Sequence, residues 1–218
     1  MISTYVIHVN AFTDRFKYLS GLLPDANWVT DYDVDDIPRD IYRKYYSQCE
    51  FDWADRATHL GIINNYRRLD NCQVSRNLKH MQALESFYDS GEDMALILQD
   101  NVVLEKHFDS EVEYVLKHWP EYADVVFLSG PEDLLYANYT GKDFYFREDL
   151  QEPYCNSLVL NNVDAYIITR AAARLLMAKL TPFVMDIEYE YSYWFDKCGF
   201  TTPTFVPYAC NPRTYKTL

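Results

Sequence analysis

The apolar run Met94-Ala95-Leu96-Ile97-Leu98 ends abruptly in Gln99-Asp100-Asn101. A buried strand has no structural use for three polar residues at its end unless they cap, turn or bind something. Amide oxygens and a carboxylate are donor types that a hard cation or a polar ligand takes. A second junction lies far along the chain, where Asp186 follows Pro182-Phe183-Val184-Met185 and opens a helical stretch. It reads as a helix N-cap or as an acid placed for chemistry, and one residue can do both. Glu188 and Glu190 stand beside it, and the alternation Glu188-Tyr189-Glu190-Tyr191 leaves open which face turns inward. Two literal Asp-x-Asp patterns, Asp31-Tyr32-Asp33 and Asp33-Val34-Asp35, read either as metal ligands or as an exposed acidic loop. An EF-hand is excluded: the sixth position from Asp31 is Asp36 rather than Gly, and the twelfth is Tyr42 rather than Glu.

The elements that must position these residues follow from pattern. Residues 3–10 are β-branched and aromatic and read as a buried first strand; 27–30 reads as a short second one. Thr13 is the expected N-cap of a helix with apolar positions 16, 19, 22 and 23, stopped by Pro24. Residues 31–70 are polar and aromatic, with weak helical patterning around 39–46 and 53–66, and read as an irregular excursion over the sheet. Val74, Leu78, Met81, Leu84 and Phe87 recur at spacings of three and four, so 72–88 is a helix, with Gly91 as its stop. Further helix signals fall at 111–118, at 170–180 behind the cap Thr169, and at 185–195 entered through Asp186. Residues 94–98, 124–130 and 165–168 are short apolar runs of the kind found in strands covered on both faces. The stretch 131–153 is loop-like. Strands alternate with helices, which predicts an α/β domain with a mostly parallel central sheet flanked by helices. One domain over 1–218 is expected, with 31–70 and 131–153 as irregular excursions. In open α/β sheets ligands sit at the carboxyl ends of the strands, which directs attention to Asn10, to 99–101 and to the loop after Gly130.

Composition narrows the function. The 218 residues carry 20 Lys+Arg against 33 Asp+Glu, a formal charge of −13. That balance argues against an extended nucleic-acid interface, which needs a basic footprint, and against an anionic membrane surface. No nucleic-acid partner and no transmembrane segment are expected, since no apolar run approaches the ~20 residues of a membrane helix. The start of the chain lacks the basic and apolar regions of a signal peptide, so a cytoplasmic location is expected. Five cysteines without a CxxC or Cys/His cluster read as free thiols in a reducing compartment. The sequon Asn138-Tyr139-Thr140 is accidental in that setting. No G-x-S-x-G, Walker A or G-x-G-x-x-G motif occurs, so serine hydrolase, P-loop and dinucleotide-binding readings lack support.

Four segments in order carry a resemblance: Val6-Ile7-His8-Val9-Asn10 followed by Arg15, Cys72-Gln73-Val74-Ser75 entering a helix, Leu98-Gln99-Asp100-Asn101, and Asp164-Ala165-Tyr166-Ile167-Ile168-Thr169 leading into a helix. Together they resemble glycosyltransferase family 25, the lipopolysaccharide and collagen-type glycosyltransferases with a GT-A fold. The resemblance covers most of the chain except the two excursions. It implies transfer of a sugar from a nucleotide-sugar donor to a glycan or protein hydroxyl acceptor, with inversion at the anomeric carbon. Val9 and Asn10 would then lie by the base or ribose, Arg15 on the nucleotide side, and Ser75 near the diphosphate at a helix N-terminus. Asp186 would be the general base toward the acceptor, with Glu188 and Glu190 as alternatives.

One departure is informative. The family's Leu-Glu-Asp-Asp holds a divalent cation (Mn or Mg) against the donor diphosphate, and here Gln99 and Asn101 replace two carboxylates. Asp100 and Asn101 would be the metal ligands, and metal affinity should fall or the metal be dispensed with. Arg76 and Lys79 are then the cations that could offset the leaving diphosphate. The same loss motivates an alternative, a catalytically inactive relative that binds a glycan or a partner. For an acceptor, the aromatic faces of Trp53, Tyr66, Tyr136, Tyr139, Tyr154 and Trp194 suit the apolar C–H faces of a sugar.

Overall fold

A computed structural model describes residues 2–62, 66–129, 144–145, 163–205 and 210–212. Nine strands are described: β1 (Ser3–Ile7), β2 (Asn27–Val29), β3 (Met94–Gln99), β4 (Val102–Leu104), β5 (Val125–Phe127), β6 (Phe144–Tyr145), β7 (Ala165–Thr169), β8 (Thr204–Phe205) and β9 (Cys210–Pro212). Seven are in one sheet of order β2-β1-β3-β7-β5-β8-β6, while β4 and β9 pair separately. β1, β2, β3, β5 and β8 run one way; β7 and β6 run the other. The α/β class expected from the alternation is what forms, and the sheet is mixed because β7 enters antiparallel between β3 and β5 and β6 pairs antiparallel with β8 at the edge. An apolar run covered on both faces has the same composition in either direction, so the sequence carries no sign of the β7 reversal.

Helices cover both faces: α1 (Thr13–Leu22), α2 (Arg39–Tyr45), α3 (Glu50–His59), α4 (Asn71–Ser90), α5 (Phe108–Lys117), α6 (Arg170–Lys179) and α7 (Ile187–Cys198). The period-2 alternation of the strands divides the core. Tyr5, Ile7, Ala95, Ile97, Phe127, Tyr166 and Ile168 turn to one side, against Met81, Leu84 and Phe87 of α4, Leu176 of α6, and Ile187, Tyr191 and Phe195 of α7. Val6, Leu96, Leu98, Val126, Ala165 and Ile167 turn to the other, against Leu19 of α1 and Phe108, Val112 and Val115 of α5. The excursion expected to be irregular forms α2 and α3. They pack through two smaller clusters, Tyr46 with Val74, Leu78 and Phe183, and Ala57 and Leu60 with Val184, Met185 and Tyr193. No helix among the described residues is long and apolar enough to cross a membrane. Gly130, Tyr136, the sequon at Asn138, Tyr139, Tyr154 and Cys155 lie outside the described residues. Cys49, Cys72 and Cys198 are free thiols.

α4 is the long central helix. Asp70 caps it, with a reciprocal capping box in which the Gln73 N–H donates to the Asp70 side chain (2.9 Å) and the Asp70 N–H to Gln73 Oε1 (3.0 Å). It ends at Gly91, whose φ of 80° needs a residue without Cβ. For α1 the cap expected at Thr13 moves: Phe12 takes the N-cap position without a side-chain bond, because a turn closed by Phe12 N–H to Val9 O (2.8 Å) starts the helix one residue earlier.

Lys79 of α4 pins the carboxyl ends of β1 and β2. Its side chain is 1% exposed, and Nζ donates to His8 O (2.8 Å) and Thr30 O (3.0 Å) and pairs with Asp33 Oδ1 (2.9 Å). All three ammonium protons have acceptors. Burial opposes the Asp33 carboxylate, but Lys79 and the Asn10 N–H outweigh it and hold Asp33 below its ordinary range. Replacing Lys79 by Met leaves two inward carbonyls and a carboxylate without their cation. We expect a loss of about 3 kcal/mol in unfolding free energy, read as a lower urea midpoint at unchanged slope.

Candidate functional site

Asp100 follows β3 directly, and its N–H extends the ladder to Ile7 O (2.9 Å). The carboxylate therefore sits against the end of β1. Oδ2 accepts from His8 Nδ1 (2.8 Å) and the Val9 N–H (3.0 Å); Oδ1 accepts from an Arg15 guanidinium nitrogen (2.8 Å). The carboxylate acceptor fixes Nδ1 of His8 as the protonated nitrogen. The Arg15 guanidinium lies 4.0 Å over the Phe12 ring, and the His8 ring packs against Phe16 and Trp28. Asn10 caps this corner: its N–H donates to Asp33 Oδ2 (3.0 Å) and Nδ2 to Thr30 O (3.2 Å).

One residue further, Asn101 turns toward the β7 side. Its Nδ2 faces Asp164 Oδ1 at 3.4 Å, and its Oδ1 is buried with no hydrogen-bond partner. Asp164 precedes β7, which the antiparallel pairing brings back to the carboxyl end of β3. Beyond it lies a cluster built by α4 and α7. Asp186 is the N-cap of α7; Oδ1 accepts from the Ile187 N–H (2.8 Å) and from Arg76, and Oδ2 from Gln73 Nε2 (2.8 Å). Arg76 also forks onto both oxygens of Glu188, at 3.1 and 3.2 Å. Burial raises the Glu188 carboxyl above the ordinary carboxylate range; Arg76 opposes the shift, and Asp186 and Asp164 add to it. One cation thus serves two carboxylates, with a third close enough to act on both Arg76 and Glu188.

Behind the rim runs a chain of buried polar groups. Gln99 Nε2 donates to His80 Nε2 (3.2 Å) and to Val163 O (3.4 Å), and His80 Nδ1 meets Tyr166 OH (3.2 Å). Tyr166 OH meets Tyr191 OH at 3.0 Å. Because Nε2 receives the amide proton, the neutral ring carries its own proton on Nδ1. Burial, with the Arg76 charge second, pushes His80 down to about 3. Burial raises both phenols.

The expected site residues fall into three groups. Val9, Asn10, Arg15, Asp100 and Asn101 line the carboxyl ends of β1 and β3, and Arg76, Asp186 and Glu188 gather beside them. Ser75, expected near a diphosphate, sits inside α4 rather than at its end, 3% exposed, and donates to Tyr32 O (2.6 Å). Lys79, a candidate to offset a leaving diphosphate, is consumed by the strand ends. The Gln99 amide turns inward to His80 instead of outward. Glu190 is fully buried on Arg56, so the inward face of α7 carries Glu190 and the outer carboxylate is Glu188. Trp53 and Tyr66 pack edge to face at 5.7 Å, and Trp194 lies under the Arg56 guanidinium. Gln73, Asp164 and His80 complete the arrangement. The signal for Gln73 was present as the Asp70-x-x-Gln73 spacing of a capping box; nothing local marks His80.

The donor set does not fit a divalent cation. Both oxygens of Asp100 face N–H donors, and among the described residues no group of three or more His, Cys, Asp or Glu side chains could hold a metal ion. Asp31 is likewise engaged, accepting from Gln82 Nε2 at 2.7 Å.

No family model matches the chain, and no curated protein matches it. Among solved structures, A197 from STIV is similar at 12% identity and a TM-score of 0.42, over 94% of this chain and 82% of that one. Mouse xyloside xylosyltransferase 1, in its apo form, is similar at 6% identity and a TM-score of 0.44, over 92% of this chain and 83% of that one.

His80 gives the site a pH signature. The unfolded chain binds a proton with an ordinary pKa of 6.5, while the folded ring resists it down to about 3. The stability due to neutral His80 is fully present above pH 6.5 and is lost as pH falls toward 3, by up to about 1.4 kcal/mol per unit. We expect unfolding free energies measured from pH 6.5 to 4.5 to fall more steeply for the natural protein than for His80→Gln, by one proton's worth of slope.

Proposed function

We propose that the chain is a single GT-A-like domain of the family 25 kind, which acts in the cytoplasm. It moves a sugar from a nucleotide-sugar donor to a hydroxyl of a glycan or protein acceptor, with inversion. The supporting observation is the meeting of two junctions separated by some 85 residues of sequence. Gln99-Asp100-Asn101 and Asp186-Glu188 reach the same end of the sheet, linked through Asp164 and Arg76.

In this reading the donor lies over the ends of β1 and β3, with Val9 and Asn10 by the base or ribose and Arg15 supplying a guanidinium held in place by Asp100. Glu188 takes the proton of the acceptor hydroxyl. The acceptor oxygen attacks the anomeric carbon from the face opposite the diphosphate. The bond to the diphosphate oxygen breaks, and the electron pair leaves with the nucleotide. Glu188 suits the base better than Asp186. It is the more exposed of the two, 25% against 10%, and its carboxyl is raised toward the operating range. Asp186 is held by Gln73, Arg76 and its own helix, and its role is to orient Arg76. No step is assigned to a metal.

A second reading, a binding domain without turnover, is favoured by one observation: the carboxylates of Asp100 and Asp186 are both saturated by internal donors.

Calorimetric titration with UDP, GDP and their sugars, with and without manganese, followed by a transfer assay, separates the readings. We expect one nucleotide to bind and its sugar to be transferred. Glu188→Gln should keep donor affinity while kcat falls about 10²–10⁴-fold, and the natural enzyme should lose activity as pH falls through the raised Glu188 titration. Binding without turnover supports the second reading; no binding of any nucleotide overturns the first.

A further inference from the structure

The turn that delivers Asp186 is held by a carboxylate from inside the fold. Glu190 is 0% exposed, and its Oε1 accepts the N–H groups of Val184 (2.7 Å) and Met185 (2.9 Å), the two residues before Asp186. Its Oε2 pairs with Arg56 of α3, 134 positions away in sequence. Arg56 also reaches Pro182 O at 3.5 Å, and its guanidinium lies 5.5 Å from the Tyr193 ring and 5.3 Å from the Trp194 ring. Other elements complete the hold. Asn77 Nδ2 donates to Met185 O (2.8 Å), and Phe183 exchanges backbone bonds with Tyr45 O (2.8 Å) and the Ser47 N–H (3.0 Å).

A Gln at 190 could accept the same two N–H groups through its amide oxygen without a buried charge. A desolvated ion pair is a poor source of net stability, yet here it ties the turn to α3. We infer that Glu190 and Arg56 are positioning residues for the Asp186–Arg76–Glu188 cluster. Their ion pair sets the 182–186 turn, and with it how Asp186 shares Arg76 with Glu188. The catalytic meaning of this rests on Glu188 being the base; the positioning itself does not.

The groups facing Glu188 are Arg76 from α4, Asp186 at the start of α7 and Asp164 before β7. The test is the titration of the Glu188 side-chain carboxyl, followed by carbon-13 chemical shift in the full chain. If the turn relaxes, Asp186 releases Arg76 to Glu188, and the Glu188 midpoint falls by about half a unit or more. Loss of the Arg56 charge by itself moves the midpoint the opposite way. Arg56→Lys should titrate like the natural protein. Arg56→Met leaves Glu190 uncompensated and can fail to fold, so the double variant Arg56→Met, Glu190→Gln decides: it leaves no charge at either of these two positions, and the direct electrostatic effects cancel. A fall in its midpoint, with kcat about tenfold lower at unchanged donor KM, is the expected result. An unchanged or raised midpoint in the folded double variant overturns the inference, as does its failure to fold, which would make the pair a support of the fold alone. If Glu188→Gln turns over normally while the midpoint still falls, the base assignment fails and the positioning stands.

Discussion

The structure depends on one buried ammonium group. Lys79 lies on the face of α4 that meets the sheet, and its acceptors come from three stretches of chain: the residue after β1, the residue after β2, and Asp33 in the turn that follows. A buried cation tolerates no partial solution, because a missing acceptor leaves a desolvated proton. The ends of β1 and β2 and the height of α4 over the sheet are therefore settled together. From that corner Asn10 is fixed on Asp33 and Val9 on Asp100, and Asp100 in turn holds Arg15. Tyr32, at a positive φ of 64°, is part of the same corner, with its carbonyl accepting from Ser75.

α4 also connects this corner to the far cluster. Along one helix, Gln73 and Arg76 reach α7, Ser75 and Lys79 reach the β2 turn, and His80 reaches Gln99 and Tyr166. Charge is distributed unevenly along this rim. At the β1 corner Arg15 and Lys79 balance Asp100 and Asp33. At the α7 corner Arg76 faces Asp164, Asp186 and Glu188, and burial, with the two neighbouring carboxylates adding to it, keeps Glu188 reluctant to ionise.

Much of this was legible in the sequence where apolar pattern decides. The runs at 94–98 and 165–168 became strands covered on both faces, and the spacing of Val74, Leu78, Met81, Leu84 and Phe87 gave α4 its buried face. The abrupt polar end of β3 and the acid after Pro182 were also readable, since buried strands and helix starts tolerate such residues only for a reason. What stayed hidden was pairing at long range. Nothing near Lys79 announces that it is swallowed by two strand ends, nothing near Gln99 that its amide turns to His80, and nothing in the polar 31–70 stretch that Arg56 and Asp55 are matched to Glu190 and Tyr193 of α7. Polar and aromatic composition reads as an irregular surface until the partner's position is known.

The capping box of α4 has a wider reach than its own helix. Gln73 satisfies the Asp70 N–H with its oxygen and grips the N-cap of α7 with its nitrogen, so a single amide group closes the first turns of two helices that are remote in sequence. Neither turn can fray alone without stranding half of that amide. The two helix beginnings consequently behave as one latch: a pull on α7, whether from thermal opening or from a molecule engaging its acidic start, is transmitted to the base of the helix that carries Arg76 and Lys79.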